Sequence, residues 1–311
     1  MKVRIHYLDS LKAILILLVV LGHAVQFNDT EHYANSILFR FIYSFHMPLF
    51  FFISGYLACR GFANRWVVKK RAIQLLLPFI AWALISPFLD DRPFSFLPLV
   101  YPDKGLWFLY NLFFYSVIAN VSEWLESERK IKIEYSLVVF YCVLVLAMSF
   151  FHTLYNCTQL VYHIPFYYAG FLWKRHHLSL NMGSLTAVMG GYFLLLLIHL
   201  VPMWEDMLIV SKPVGYVYTY ILEFFGMICF FELGKRFLDK DIPFLSNIGV
   251  KTLGIYACHF VIIHHIIRWL TEYVFELRLL ISFAFTVLVS YIFVTVVSKI
   301  PYLRIFLIGK I

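Results

Sequence analysis

A lysine and a histidine stand eleven residues apart, Lys12 and His23, in the apolar run LDSLKAILILLVVLGH. On a helix eleven residues make about three turns plus 20°, which puts both side chains on one face about 16 Å apart. An imidazole changes protonation near neutral pH and is suited to moving a proton. Ionisable groups at membrane depth are costly, and their retention points to function. Lys12 lies about one turn into the run and can also snorkel to the headgroups. Asp9, three residues earlier, can pair with it. His23 lies about 21 Å in, on the outer half, where a structural bond to a neighbouring helix is the alternative to a reactive role.

A second run, FHMPLFFFISGY, carries His46. Entering from the outer face, it places His46 about 15 Å deep, near the level expected for His23. Pro48 has no N–H and leaves the Ser44 carbonyl without a helical donor, so the helix is expected to bend or open beside His46. The imidazole then either joins the chemistry at His23 or satisfies a freed carbonyl. Ser54 and Gly55 are small enough for close helix contact. Glu223 and His259 sit inside later apolar runs and are the next candidates for a polar, substrate-binding network. His264 and His265 fall nearer a membrane surface. Lys69, Lys70 and Arg71 form a basic run that either marks the cytoplasmic side or holds phosphates.

These residues need helices to position them, and the composition supplies helices of one kind. The 311-residue chain is 62% hydrophobic and 14% charged, whereas a soluble domain carries about 25% charged residues. An all-α integral membrane protein is expected, with about ten transmembrane helices at roughly 9–27, 36–59, 72–89, 106–125, 135–151, 158–173, 183–201, 214–234, 252–270 and 279–298. With a cytoplasmic N-terminus, only Arg40, Arg92, Lys104, Lys212, Arg268 and Arg278 of the 26 Lys and Arg residues fall outside. Both termini are therefore expected in the cytoplasm, and the net charge of +8 reads as topology, with no nucleic-acid partner. Tyr7, Trp66, Trp107, Trp173, Trp204 and Trp269 fall near predicted boundaries as an aromatic belt.

No segment between spans is long enough to bury its own core, and no internal repeat is visible. A single transmembrane domain over 1–311, without a separate soluble domain, is the expectation. Cys59, Cys142, Cys157, Cys229 and Cys258 lack any zinc-ligand spacing, so neither a metal nor a prosthetic group is expected.

The same segments resemble the acyltransferase 3 family of membrane acyltransferases. Lys12, ten residues, then His23 is similar to that family's basic-x10-His motif. FHMPLFFFISGY resembles the second-helix motif of its fucose 4-O-acetylase-like branch. LWFLYNLF (106–113), IPFYYAGFLW (164–173) and FLSNIGVKTLGIYACH (244–259) follow in the family's order. One departure is present: where the family often shows R-x-x-R after the second helix, this chain has Arg71 followed by Gln74, with Lys70 or Lys69 as possible substitutes for the second cation.

The resemblance implies O-acyl transfer, foremost O-acetyl transfer, from cytoplasmic acetyl-CoA or another acyl-CoA. The acceptor is a sugar hydroxyl of a surface polysaccharide, glycolipid or lipid-linked precursor, and the site is the bacterial inner membrane. Such chemistry needs a base for the hydroxyl proton and donors for a tetrahedral oxyanion. His23 fits the base, and His46 would orient the acceptor or donate to the oxyanion. Lys12, Lys70 and Arg71 would hold the CoA phosphates. An acyl-histidine intermediate is the competing scheme. A proton-coupled transporter is the alternative function, and a haem carrier would need paired axial histidines. The oligomeric state has no signature in the sequence.

Overall fold

Segments this rich in Leu, Ile, Val and Phe must satisfy their backbone N–H and C=O groups internally once they leave water, and a continuous helix does so locally. A computed structural model of the protein describes residues 5–60, 65–89, 106–151, 157–201 and 212–310. Every regular element among them is helical. In chain order they are α1 (His6–Asn28), α2 (Ile37–Tyr43), α3 (His46–Ala58), α4 (Arg65–Arg71), a π turn (Ala72–Leu76) and α5 (Leu77–Leu89). Then come α6 (Trp107–Arg129), α7 (Ile133–Phe151), α8 (Cys157–Arg175), α9 (Met182–Leu200) and α10 (Lys212–Phe237). The last four are α11 (Pro243–Gly249), α12 (Thr252–Arg268), α13 (Phe275–Val297) and α14 (Pro301–Ile308).

The chain is an all-helical, multi-pass membrane protein. Among the described residues six helical stretches are long and apolar enough to cross a membrane, and the broken pair α11–α12 raises the number to seven. The sequence windows place ten. The other three windows fall on α6, α7 and α8, helices of 23, 19 and 19 residues. The last turns of α6 carry Glu123, Glu126, Glu128 and Arg129, and α8 holds Gln159, His163, Lys174 and Arg175. Arg92, Lys104 and Trp204 lie outside the described residues.

Proximity divides the chain into two compact units. The first comprises Met1–Phe50, Leu178–Thr252 and Ile263–Leu288. Its α1 buries Leu8, Leu11, Leu15, Ile16, Val19 and Val20. Asp9 lies in the first turn of α1, where a negative charge complements the helix dipole. Gly249 at the end of α11 approaches the Asp9 carbonyl so closely that a Cβ there would collide with it. At the other end of α1, Asn28 Nδ2 donates to the Ala24 carbonyl at 2.8 Å and to Ser282 Oγ of α13 at 2.9 Å.

The second unit comprises Phe51–His177, Leu253–Ile262 and Val289–Ile311. Here α3 and α8 cross backbone to backbone, because a Cβ on Gly55 would strike the Tyr167 carbonyl and one on Gly170 the Phe52 carbonyl. This is the close contact that the small residues of the second run predict. Phe51, Tyr115, Phe166, Tyr167 and Phe171 fill the interior. Pro78 lacks the N–H that a helix would direct at the Gln74 carbonyl. The chain absorbs that loss in the π turn between α4 and α5, a widening of the helix that recurs at functional sites. Trp82 Nε1 of α5 donates to the Leu307 carbonyl of α14 at 2.9 Å.

Candidate active site

In the first unit, α1 carries Lys12 and His23 on the face that their spacing predicts. Lys12 Nζ lies 2.6 Å from Asp9 Oδ1, the pair expected from positions three apart, with the lysine side chain 24% exposed. His23 is half-buried near the other end of α1. Its Nδ1 sits 3.0 Å from Gln26 Oε1. An amide oxygen only accepts, so this contact is made by the tautomer that carries its proton on Nδ1 and its lone pair on Nε2. The Phe27 ring is 6.2 Å from the imidazole by centroid and 5.8 Å from that of His264.

The second run opens where Pro48 predicts. α2 ends at Tyr43, and α3 begins at His46, which places Pro48 in the first turn, where its missing N–H has no helical acceptor to serve. At this opening His46 Nδ1 donates to the Ile42 carbonyl at 2.8 Å. His46 therefore satisfies a carbonyl at the break, as the structural alternative anticipates. The carbonyl in question is that of Ile42. The bond also fixes the tautomer and leaves Nε2 as the basic nitrogen. His46 is 2% exposed.

Tyr43 links the surroundings of the two histidines. Its ring meets the His46 imidazole edge-on at 4.6 Å between centroids. A Cβ on Gly22, the neighbour of His23, would lie 3.0 Å from Tyr43 Cε2. The absence of a side chain at Gly22 thus lets α2 close on α1 beside His23. Phe39 stacks on Tyr43 at 3.8 Å, and Tyr33 meets Phe39 edge-on at 4.9 Å. The sequence reading missed Tyr43 and Gln26; each stands three residues from its histidine, the spacing at which helical side chains meet.

Glu223 is buried in α10 of the first unit. His259 is fully buried in α12 of the second, where its Nδ1 donates to the Tyr256 carbonyl at 2.7 Å. His23, His46, Lys12 and Glu223 thus belong to one unit, and Arg71, Lys70 and His259 to the other.

In the second unit, Lys70 is exposed and Arg71 half-buried at the end of α4. Arg71 Nη1 donates to Gln74 Oε1 at 3.5 Å, a long bond across the π turn. Arg60, which the sequence reading passed over, lies within electrostatic reach of Arg71 and of Tyr167. The backbone N–H of Arg60 donates to Glu123 Oε1 at 3.2 Å, and Glu123 is 5% exposed. A second guanidinium therefore accompanies Arg71 although position 74 is glutamine. Among the described residues no group of three or more His, Cys, Asp or Glu side chains is placed to hold a metal ion.

The arrangement offers a half-buried imidazole beside Gln26 in one unit and, in the other, the Arg60 and Arg71 guanidinium groups within electrostatic reach of each other. A family profile described as an acyltransferase domain matches residues 5–295. The chain belongs to the acyltransferase 3 family. Two relatives of this family member are proteins named Nodulation protein NolL. The one from Mesorhizobium japonicum is 30% identical over 195 residues, covering 54% of this chain and 47% of the relative. The one from Sinorhizobium fredii is 44% identical over 89 residues, covering 25% of this chain and 23% of the relative. The chain thus spans about half or less of the length of these curated relatives. No solved structure matches this acyltransferase 3 chain.

Proposed function

We propose that this protein is a membrane O-acyltransferase, foremost an O-acetyltransferase. In this reading an acetyl group passes from cytoplasmic acetyl-CoA to a sugar hydroxyl of a surface polysaccharide, glycolipid or lipid-linked precursor. The enzyme would sit in a bacterial inner membrane with about ten spans and both termini inside. The observation that carries the reading is His23, the histidine of the basic-x10-His motif, whose Nδ1 lies 3.0 Å from Gln26 Oε1.

His23 Nε2 takes the proton of the acceptor hydroxyl while that oxygen bonds to the thioester carbonyl carbon. The resulting tetrahedral oxyanion collapses, the carbon–sulfur bond breaks, and the departing thiolate recovers the proton from the imidazolium. His46 in its neutral form presents only a lone pair at Nε2, because Nδ1–H is committed to Ile42. That favours orientation of the acceptor, by accepting a bond from a sugar hydroxyl, over donation to the oxyanion. Glu223 and His259 remain candidates for acceptor contact, and Lys12, Lys70 and Arg71 for contact with the donor.

Acetyl transfer from radiolabelled acetyl-CoA in proteoliposomes, together with mass spectrometry of surface glycans from cells with and without the gene, tests the proposal. An acetyl group lost from one glycan on deletion is the expected result. Unchanged glycans and no label transfer would remove the acyltransferase reading and leave proton-coupled transport as its rival.

A further inference from the structure

The ends of α3, α6 and α8 and the start of α7 surround a cavity of about 770 Å³ that lies wholly within the second unit. Arg60, Lys132, Lys174 and Arg175 line it, as do Glu126 and Glu134. Both carboxylates are already engaged: Glu126 with Arg175, and Glu134 with His176 Nε2 at 3.0 Å. Among the described residues no carboxylate pairs with Arg60, Lys132 or Lys174. Two of these cations are also held in place. The Arg60 backbone is tied to Glu123, and Lys174 Nζ stands 5.4 Å over the Tyr56 ring. Four cations, Arg60, Lys132, Lys174 and Arg175, thus face two carboxylates around one cavity; that positive excess attracts a polyanion, and phosphate groups gain most from such charge-assisted bonds. The volume falls inside the range of about 300–1000 Å³ that encloses ligands of nucleotide size.

We propose that this cavity binds the adenosine 3′-phosphate 5′-diphosphate end of a coenzyme A thioester, with Arg60, Lys132 and Lys174 as its phosphate contacts. The assignment rests on the acyl-CoA donor reading and gives that donor an anchor. It adds phosphate contacts to those expected of Lys12, Lys70 and Arg71, the first of which already pairs with Asp9. None of the three cations belongs to the R-x-x-R position, so the substitution at Gln74 does not remove the anchor.

Titration calorimetry in a neutral detergent, with acetyl-CoA and with adenosine 3′,5′-bisphosphate as probes, tests the site. Wild-type protein should bind both. Lys132→Gln and Lys174→Gln should each weaken both probes about tenfold or more, the loss of one charge-assisted phosphate contact, while exposed Lys240→Gln leaves them unchanged. Lys132 is itself exposed, so its variant keeps the fold, which a melting curve verifies. If wild type binds acetyl-CoA and the two variants bind it equally well, the donor reading stands and this cavity is not its anchor. If wild type binds neither probe but anionic phosphatidylglycerol vesicles raise its melting temperature in a Lys174-dependent way, the cavity is a lipid headgroup site and the proposal falls.

Discussion

The Tyr43 ring meets the His46 imidazole edge-on at 4.6 Å, and its Cε2 lies 3.0 Å from the position of a Cβ on Gly22. One aromatic ring therefore packs against both the residue before His23 and His46 itself. Tyr43→Phe keeps that ring and should leave acetyl transfer unchanged. Tyr43→Ala removes an aromatic contact of about 0.5–1.5 kcal/mol and should lower the rate. Gly22→Val forces the ring aside at a cost of about 1–3 kcal/mol and should do so more strongly. Equal rates for all three variants would detach Tyr43 from the site.

His23→Ala should lower acetyl transfer about 10²- to 10⁴-fold, the usual contribution of a positioned general base. Gln26→Leu should lower kcat roughly tenfold with KM for acetyl-CoA unaltered, because it loosens the ring without touching the donor. An active His23→Ala protein would exclude the histidine as the base.

The Asp9–Lys12 pair separates two roles for the lysine. Lys12→Ala should raise KM for acetyl-CoA several-fold while kcat holds, if the ammonium assists the donor. Asp9→Asn leaves a half-buried ammonium without its carboxylate and should lower the melting temperature. A Lys12→Ala enzyme with unaltered KM and a lowered melting temperature would make the pair purely structural.

Two glycine substitutions should behave oppositely. Gly55→Ala drives a Cβ into the Tyr167 carbonyl, a rigid backbone atom, and should abolish accumulation of folded protein in the membrane. A Cβ on Gly190 in α9 meets nothing within 4 Å. Gly190→Ala should therefore be neutral or gain up to about 1 kcal/mol from helix propensity. Size-exclusion profiles in detergent distinguish the two.

Much of the site was legible because its rules are local. The three-residue spacing of Asp9 and Lys12 dictates their pairing, Pro48 dictates the opening before His46, and Gly55 marks a close crossing. Arg60 was not legible, because its place beside Arg71 and Glu123 depends on how α3, α4 and α6 pack. Residue spacing within one helix carries no such information. The same holds for Gly22 and Tyr43, which lie on different helices. The π turn has a local cause in Pro78, yet a hydropathy window averages over it. The windows likewise read apolar content well, and the charged last turns of α6 and α8 set those helices apart from the six most apolar stretches.

The bond from His46 to Ile42 has a kinetic meaning. The Nδ1–H bond to that carbonyl holds the ring in one orientation, so the Nε2 lone pair keeps one direction. A hydroxyl bonded to an imidazole anchored in this way is oriented before its proton leaves, with little reorganisation at the moment of reaction. Rigidity at that helix break, which looks at first like a repair of the backbone, would then contribute directly to turnover.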